Sequence, residues 1–251
     1  MHYNWHWKVL LEAEPGGTGS YLHYLIVGLG WTLATAAAAW VIALSIGAIV
    51  GTLRTTSNRW VVRAGNIYVE IFRNVPLIVQ MFLWFFVMPE LVPEALGNWI
   101  KQQPPPWGMY IPAVLCLGIF TSVRVAEQVR AGINSLPRGQ RMAGTAMGLT
   151  EAQTYRFVVL PQAFRIILPP ITSETMNIIK NSSVALTIGL LELTGRARAM
   201  QEFSFRVFEA FATATVIYLL TNLIVVLAMR ALERKVRVPG LIGGQAVQAG
   251  H

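Results

Sequence analysis

Charged residues are scarce in this 251-residue chain: only 13% of its residues are Asp, Glu, Lys or Arg, whereas 54% are hydrophobic. A soluble globular domain carries about 25% charged residues. Because long apolar runs accompany the deficit, the composition indicates one membrane domain. The net charge of +8 comes from basic residues scattered between these runs, unlike the clustered basic face of a nucleic-acid-binding protein.

The chain also lacks the residue sets on which enzymes depend. It contains no GxxxxGK(S/T) phosphate-binding loop, no HExxH zinc motif and no GxSxG nucleophile turn. Its single cysteine, Cys116, lies in an apolar run, which is typical of a small buried hydrophobic residue. None of its four histidines (His2, His6, His23 and His251) falls within a long apolar run. We therefore expect no catalytic residue, no metal site and no cofactor in this chain.

Five apolar segments are candidates for helices that cross a bilayer, which takes about 20 residues. Two of them, residues 24–53 and 210–229, contain no charge. The second begins near residue 65 and ends at 89, the third covers 109–123 and continues into charged residues, and the fourth covers 166–191. Since a charge in lipid is costly, these middle three helices are expected to face protein or water.

Loop charges predict how these helices are oriented, because positively charged loops stay in the cytoplasm. The loops after the first and third segments and the tail after the last are rich in arginine, whereas the other two loops are acidic or mixed. The N-terminus is therefore expected outside and the C-terminus inside. This divides the chain into an extracytoplasmic segment (1–23), a membrane domain (24–232) and a cytoplasmic tail (233–251).

Four segments carry a family resemblance. They are YVEIFRNVPLIVQ (68–80), AEQVRAGINSLPRGQ (126–140), QRMAGTAMGLTEAQTYRFVVLP (140–161) and NIIKNSSVALTIGLLEL (177–193). In this order and at this spacing they resemble the permeases of ABC importers for polar amino acids, and most of all those for glutamate and aspartate. The resemblance implies the all-α fold of type-1 importer permeases, with five transmembrane helices and a cytoplasmic coupling helix near 140–147.

The resemblance also implies partners for the chain. It would form half of a pore in a bacterial inner membrane, together with a sister permease or a second copy of itself. Two ABC ATPase subunits would bind ATP and Mg²⁺, and an extracytoplasmic solute-binding protein would deliver the substrate for transport by alternating access. Two alternatives remain: a permease for glutamine or another polar amino acid, and a passive channel. An intramembrane enzyme would need a nucleophile–base pair or a metal site, and the sequence shows neither.

The coupling loop of the family usually opens with Glu-Ala-Ala, but this chain has Met142-Ala143-Gly144. Met142 cannot supply the carboxylate, so contact with the ATPase is expected to depend on shape and on neighbouring residues. Small residues here suit a short helix that enters a groove of the ATPase, and the length of the segment disfavours an ordinary connecting loop. The candidate coupling residues are Arg138, Gln140, Arg141, Ala143, Gly144, Thr145 and Gly148.

Polar residues in the third and fourth segments are candidates for the substrate path. Arg124 stands where related permeases commonly have an uncharged residue, and a guanidinium binds a carboxylate through two parallel hydrogen bonds. Arg124 is therefore expected either to favour acidic substrates or to pair with Glu127, and the helical spacing also places Glu127 beside Arg130. The candidate path residues are Arg124, Gln128, Asn177, Asn181 and Ser182.

Glu70 and Arg73 open the second segment three residues apart, so we expect them to pair with each other. Together with Glu127 they are the candidate scaffold or gate residues. Pro76 follows and predicts either a kink or the start of the membrane part of the helix. In the first segment, Gly47 and Gly51 either permit a close helix approach or only reflect its composition.

Overall fold

The computed structural model describes residues 3–17 and 19–236, and the chain is helical through most of these ranges. The described α-helices, in chain order, are α1 (Tyr21–Leu53), α2 (Arg59–Asn74), α3 (Leu77–Phe82), α4 (Met88–Leu91), α5 (Glu94–Lys101), α6 (Trp107–Asn134), α7 (Arg138–Ala146), α8 (Glu151–Thr154), α9 (Leu160–Asn181), α10 (Leu193–Ser204) and α11 (Val207–Val236). A 3-10 helix (Trp7–Leu11) precedes α1. Two π-helical segments (Leu83–Val87, Tyr155–Val159) and a second 3-10 helix (Ser182–Ile188) lie between the α-helices. The predicted all-α fold class is confirmed.

Three helices in the described ranges, α1, α6 and α11, are long and apolar enough to cross a membrane. The bent pair of α2 and Leu77–Leu91 makes a fourth candidate if the two parts are one span. The predicted fourth apolar segment becomes α9 followed by the 3-10 helix Ser182–Ile188, which ends at Gly189 with a φ of 89°. The count of five spans therefore stays a prediction.

The second predicted segment is broken at Pro76, where the two helix axes differ by 100°. Val75 is extended (φ −99°, ψ 127°), because a proline disfavours the helical conformation in the residue before it. The Nε2 atom of buried Gln80 donates to the carbonyl oxygens of Phe72 (2.8 Å) and Val75 (2.9 Å). These bonds satisfy carbonyl groups at the end of α2, so a proline and a glutamine together fix the corner.

The centre of the molecule is α6, which packs against α1 on one side and α9 on the other. A Cβ atom on Gly47 would lie 2.5 Å from the Cβ of Val125, and one on Gly51 would lie 2.7 Å from the carbonyl oxygen of Ala126. The close helix approach predicted from this glycine pair is thus confirmed. Its consequence is that α1 is held directly against the backbone of α6.

The loop predicted after the fourth segment contains α10, and its N-cap residue, Glu192, is fully buried. The Glu192 carboxylate accepts hydrogen bonds from the backbone N–H groups of Gly195 (2.7 Å) and Thr194 (3.0 Å). It also accepts from the hydroxyls of Tyr218 on α11 (3.0 Å) and Thr32 on α1 (3.3 Å). One side chain therefore connects α1, α10 and α11, and its buried carboxylate is satisfied by four hydrogen-bond donors.

Candidate functional site

A cavity of about 310 Å³ lies where α2, α6 and α9 meet. Its polar lining consists of two arginines, two glutamates and a glutamine, and phenylalanine and valine side chains form the rest of its wall. The lining residues are Phe72 and Arg73 of α2, Phe120, Val123, Arg124, Glu127 and Gln128 of α6, and Glu174 of α9. Several of the residues predicted for a path or a gate thus meet at one place.

Arg124 is an exposed side chain on the cavity wall. Residues 120, 124, 127 and 128 share one face of α6 because they are separated by three or four positions. The guanidinium carbon of Arg124 lies 5.4 Å from the centre of the Phe120 ring, which steadies the side chain while leaving its N–H groups available. A carboxylate that entered the cavity would find these donors in a planar, two-pronged arrangement.

Glu127 pairs with Arg54, at the end of α1, and not with either arginine of its own helix. The Nη1 atom of Arg54 lies 2.8 Å from Oε1 of Glu127, too poorly aligned for a hydrogen bond but close enough for an ion pair. The predicted pairs of Glu127 with Arg124 and with Arg130 are therefore wrong. No local sequence rule predicts this partner, because 73 positions separate residues 54 and 127.

The predicted pair of Glu70 and Arg73 is also wrong. Both side chains are exposed, and Glu70 instead accepts a hydrogen bond from Nδ2 of Asn74 at 3.1 Å. Asn74 is one turn further along α2 and therefore as close to Glu70 as Arg73 is. Of the two predicted gate residues on this helix, only Arg73 lines the cavity.

The polar residues of α9 do not all reach the cavity. Glu174, which is 7% exposed, lines it, and the Nδ2 atom of Asn177 donates to the Glu174 carboxylate at 3.4 Å. Asn181 and Ser182 stand outside the set of lining residues. The Ser182 hydroxyl is fully buried and donates to the carbonyl oxygen of Ile179 at 2.8 Å. Glu174 belongs to the site, although it is not among the residues predicted for the path.

The predicted coupling segment folds as α7, a sharp turn and α8. Gly148 has a φ of 76°, which favours glycine and ends α7. Thr150 and Gln153 then start α8 with reciprocal hydrogen bonds: the backbone N–H of Thr150 donates to the Gln153 side chain (2.9 Å), and that of Gln153 donates to Thr150 Oγ1 (3.3 Å). The segment is therefore ordered helix and cap, and not an open loop.

The inner face of α7 packs against its own chain. A Cβ atom on buried Gly144 would lie 2.7 Å from Cγ2 of Thr154, and Oε1 of Gln140 accepts a hydrogen bond from Gln162 of α9 at 3.2 Å. Gly144 provides room for α8 within the chain, and its predicted contact with the ATPase stays a prediction. Gln140 likewise connects α7 to α9.

The outer face of α7 is exposed and consists of small residues between two methionines. Met142 is 70% exposed and Met147 is 80% exposed. The exposed residues between them include Ala143, Thr145 and Ala146. The side chains of Arg138 and Arg141 lie outside the described part of the structure, so their predicted role stays a prediction.

The model of one protein family, described as "Binding-protein-dependent transport system inner membrane component", matches residues 43–238. The chain belongs to this family. The matched residues include those that line the cavity and those of α7. The candidate substrate site and the candidate coupling helix therefore both lie within the family domain.

Curated relatives of this transport family resemble the chain over most of its length. The "Glutamate/aspartate import permease protein GltJ" of Escherichia coli (strain K12) is 47% identical over 246 residues, which is 98% of this chain and 100% of that protein. The "Probable amino-acid ABC transporter permease protein PatM" of Vibrio harveyi is 32% identical over 197 residues, 78% of this chain and 84% of that one. The likeness is therefore to whole permease chains.

A solved structure of the same kind supports the fold. The "Crystal structure of an amino acid ABC transporter with histidines" contains a chain that is 29% identical to this one, with a TM-score of 0.72, and the match covers 86% of this chain and 95% of that chain. The helical arrangement is thus the type-1 importer permease fold that the resemblance implied.

Proposed function

We propose that this chain is the permease subunit of an ATP-driven importer of glutamate and aspartate. The 47% identity to GltJ over almost the entire chain is the observation that carries the proposal. The permease would be a multi-pass protein of the bacterial inner membrane with five spans, its N-terminus outside and its C-terminus in the cytoplasm. The arginine-rich loops support this orientation.

The cavity between α2, α6 and α9 provides a chemical basis for acidic substrates. Arg124 and Arg73 offer guanidinium groups to the carboxylates of a dicarboxylic amino acid. Glu174, oriented by the hydrogen bond from Asn177, offers a carboxylate to the substrate ammonium group. This division of charges matches glutamate or aspartate better than a cationic amino acid, which would bring a second positive charge beside two arginines.

The position of α7 supports a mechanical connection to a motor protein. Its outer face of small residues suits a groove of an ABC ATPase, which would bind ATP and Mg²⁺, while its inner face is attached to the chain through Gly144 and Gln140. Gln140 contacts α9, the helix that also carries Glu174. A displacement of α7 by the ATPase would therefore move α9, which forms one wall of the cavity. This movement would open the cavity alternately to the two sides of the membrane.

Reconstitution of the full importer tests this proposal. The chain would be placed in proteoliposomes with its ATPase and sister permease (or a second copy of itself), the binding protein would be added outside, and uptake of labelled glutamate would be measured. We expect uptake that requires ATP and is blocked by excess aspartate. Uptake without the ATPase would indicate a passive channel, and stronger competition by glutamine than by aspartate would indicate a glutamine permease.

Arg124→Gln is the first variant to measure, because it removes the charge and keeps a hydrogen-bonding side chain. We expect glutamate uptake to fall about tenfold, the loss expected when a carboxylate loses one charged partner. Arg63→Gln, at an exposed arginine of α2, controls for the loss of one positive charge. Unchanged uptake by the Arg124 variant would contradict the assignment of this cavity to the path.

A further inference from the structure

Glu127 has one side toward the cavity and its ionic partner on the other side. It lines the cavity with a side chain that is 37% exposed, whereas the side chain of its partner Arg54 is only 3% exposed. Arg54 itself is outside the set of lining residues. A buried positive charge therefore stands directly behind one of the two carboxylates that a substrate would meet.

The surroundings of Arg54 keep its guanidinium in this position. Its Nε atom donates to Oδ1 of Asn66 on α2 at 2.8 Å. A Cβ atom on Gly65 would lie 2.6 Å from the Cγ of Arg54, so only a glycine leaves room for the arginine side chain to pass along α2. Helices α1, α2 and α6 thus meet around one guanidinium. It is held by the hydrogen bond to Asn66 and the ion pair with Glu127, and Gly65 leaves the space that the arginine side chain needs.

The charges around the cavity show what this guanidinium does. The charged lining groups are Arg73 from α2, Arg124 and Glu127 from α6, and Glu174 from α9, two positive and two negative. These four alone would leave the cavity neutral. Because Arg54 is buried beside Glu127, water and salt screen its charge poorly, and it shifts the balance by one positive charge.

We propose that Arg54 is a positioning residue for substrate selection: it neutralises Glu127, so that the cavity favours amino acids with an anionic side chain over neutral ones. The proposal rests on the proposed function of the cavity as part of the substrate path. It adds a residue that contacts no substrate and acts only through Glu127.

Variants of the two partners separate an electrostatic role from a structural one. Arg54→Gln exposes an uncompensated carboxylate, so the ratio of glutamate to glutamine affinity should fall about tenfold. Glu127→Gln breaks the same ion pair but removes a negative charge, so the ratio should rise by a similar factor. A purely structural ion pair predicts losses in the same direction for both variants, with no change in the ratio.

The measurement is equilibrium binding of labelled glutamate and labelled glutamine to the complete permease–ATPase complex in lipid nanodiscs. The solute-binding protein is left out of the binding reaction, so that its own selectivity does not conceal that of the membrane path. The double variant Arg54→Gln/Glu127→Gln should restore the wild-type ratio, because the net charge returns to its original value. Arg63→Gln, at an exposed position of α2, should leave the ratio unchanged.

Each outcome identifies which claim fails. If Arg124→Gln lowers the ratio while neither Arg54→Gln nor Glu127→Gln moves it in the expected direction, the cavity stands as the path and the role of Arg54 is refuted. If none of the three variants, Arg124→Gln included, changes the ratio, the cavity itself is not the path. If Arg54→Gln does not assemble, the rise expected for Glu127→Gln and the wild-type ratio expected for Arg54→Lys still decide the matter.

Discussion

At the scale of single residues, Glu192 shows how a buried charge is accommodated in this bundle. Its carboxylate has no exposure and four hydrogen-bond donors around it. Glu192→Leu would leave the backbone N–H groups of Gly195 and Thr194 without their acceptor. Each unsatisfied group costs about 1–3 kcal/mol, so we expect the variant to lose about 3 kcal/mol of stability.

The single cysteine provides the readout for this prediction. Cys116 is fully buried in α6, and burial keeps it from reacting with a thiol-specific fluorogenic dye until the bundle opens. Thermal unfolding would be followed by dye fluorescence in complexes whose partner chains lack cysteine. The control is Glu202→Leu on the same helix, where the glutamate forms an exposed pair with Arg198 worth less than about 1 kcal/mol. Equal losses in both variants would contradict the role of Glu192.

At the scale of helices, the contact between α1 and α6 depends on glycines at particular positions. Gly51→Ala places a methyl group 2.7 Å from the carbonyl oxygen of Ala126, and a backbone atom cannot move aside as a flexible side chain can. We expect a destabilisation of about 1–3 kcal/mol, typical of overpacking, measured by the same thermal assay.

A second glycine of α1 serves as the opposite control. Gly30 has no atom within 4 Å of an added Cβ, and it is exposed. Gly30→Ala should therefore raise stability by about 0.5–1 kcal/mol, since alanine is the better helix former. Stabilisation by both alanines would show that the close approach at Gly51 is not energetically important.

At the scale of the whole molecule, the outer face of α7 is expected to be the contact with the motor. Ala143→Trp adds bulk to an exposed position without disturbing the chain's own packing, since Gly144 and Gln140 form the inner face. We expect substrate-stimulated ATP hydrolysis to fall at least about tenfold, because a groove that fits small residues would exclude an indole ring.

The control for this variant lies at the same position. Ala143→Ser keeps a small side chain on the outer face of α7, so it should leave ATP hydrolysis and uptake unchanged. Both variants should unfold at the wild-type temperature. Normal coupling by Ala143→Trp would place the ATPase contact elsewhere.

Local sequence rules were sufficient for the features that depend on neighbouring residues. The apolar runs of α1 and α11, the break at Pro76 and the glycine contact of α1 were all visible, because each follows from composition, backbone geometry or spacing along one helix. The spacing of Arg124, Glu127 and Gln128 likewise placed them on one face of α6.

The amino-acid sequence by itself determined that the chain is a helical membrane protein, where its apolar helices lie and to which family it belongs, since hydropathy and residue order act over short distances along the chain. Only the tertiary structure decided which charges meet. It joined Glu127 to Arg54 and Glu192 to two distant helices. The physical reason is that a buried charge takes whatever partner packing brings near, and helix packing joins residues whose separation in sequence carries no information.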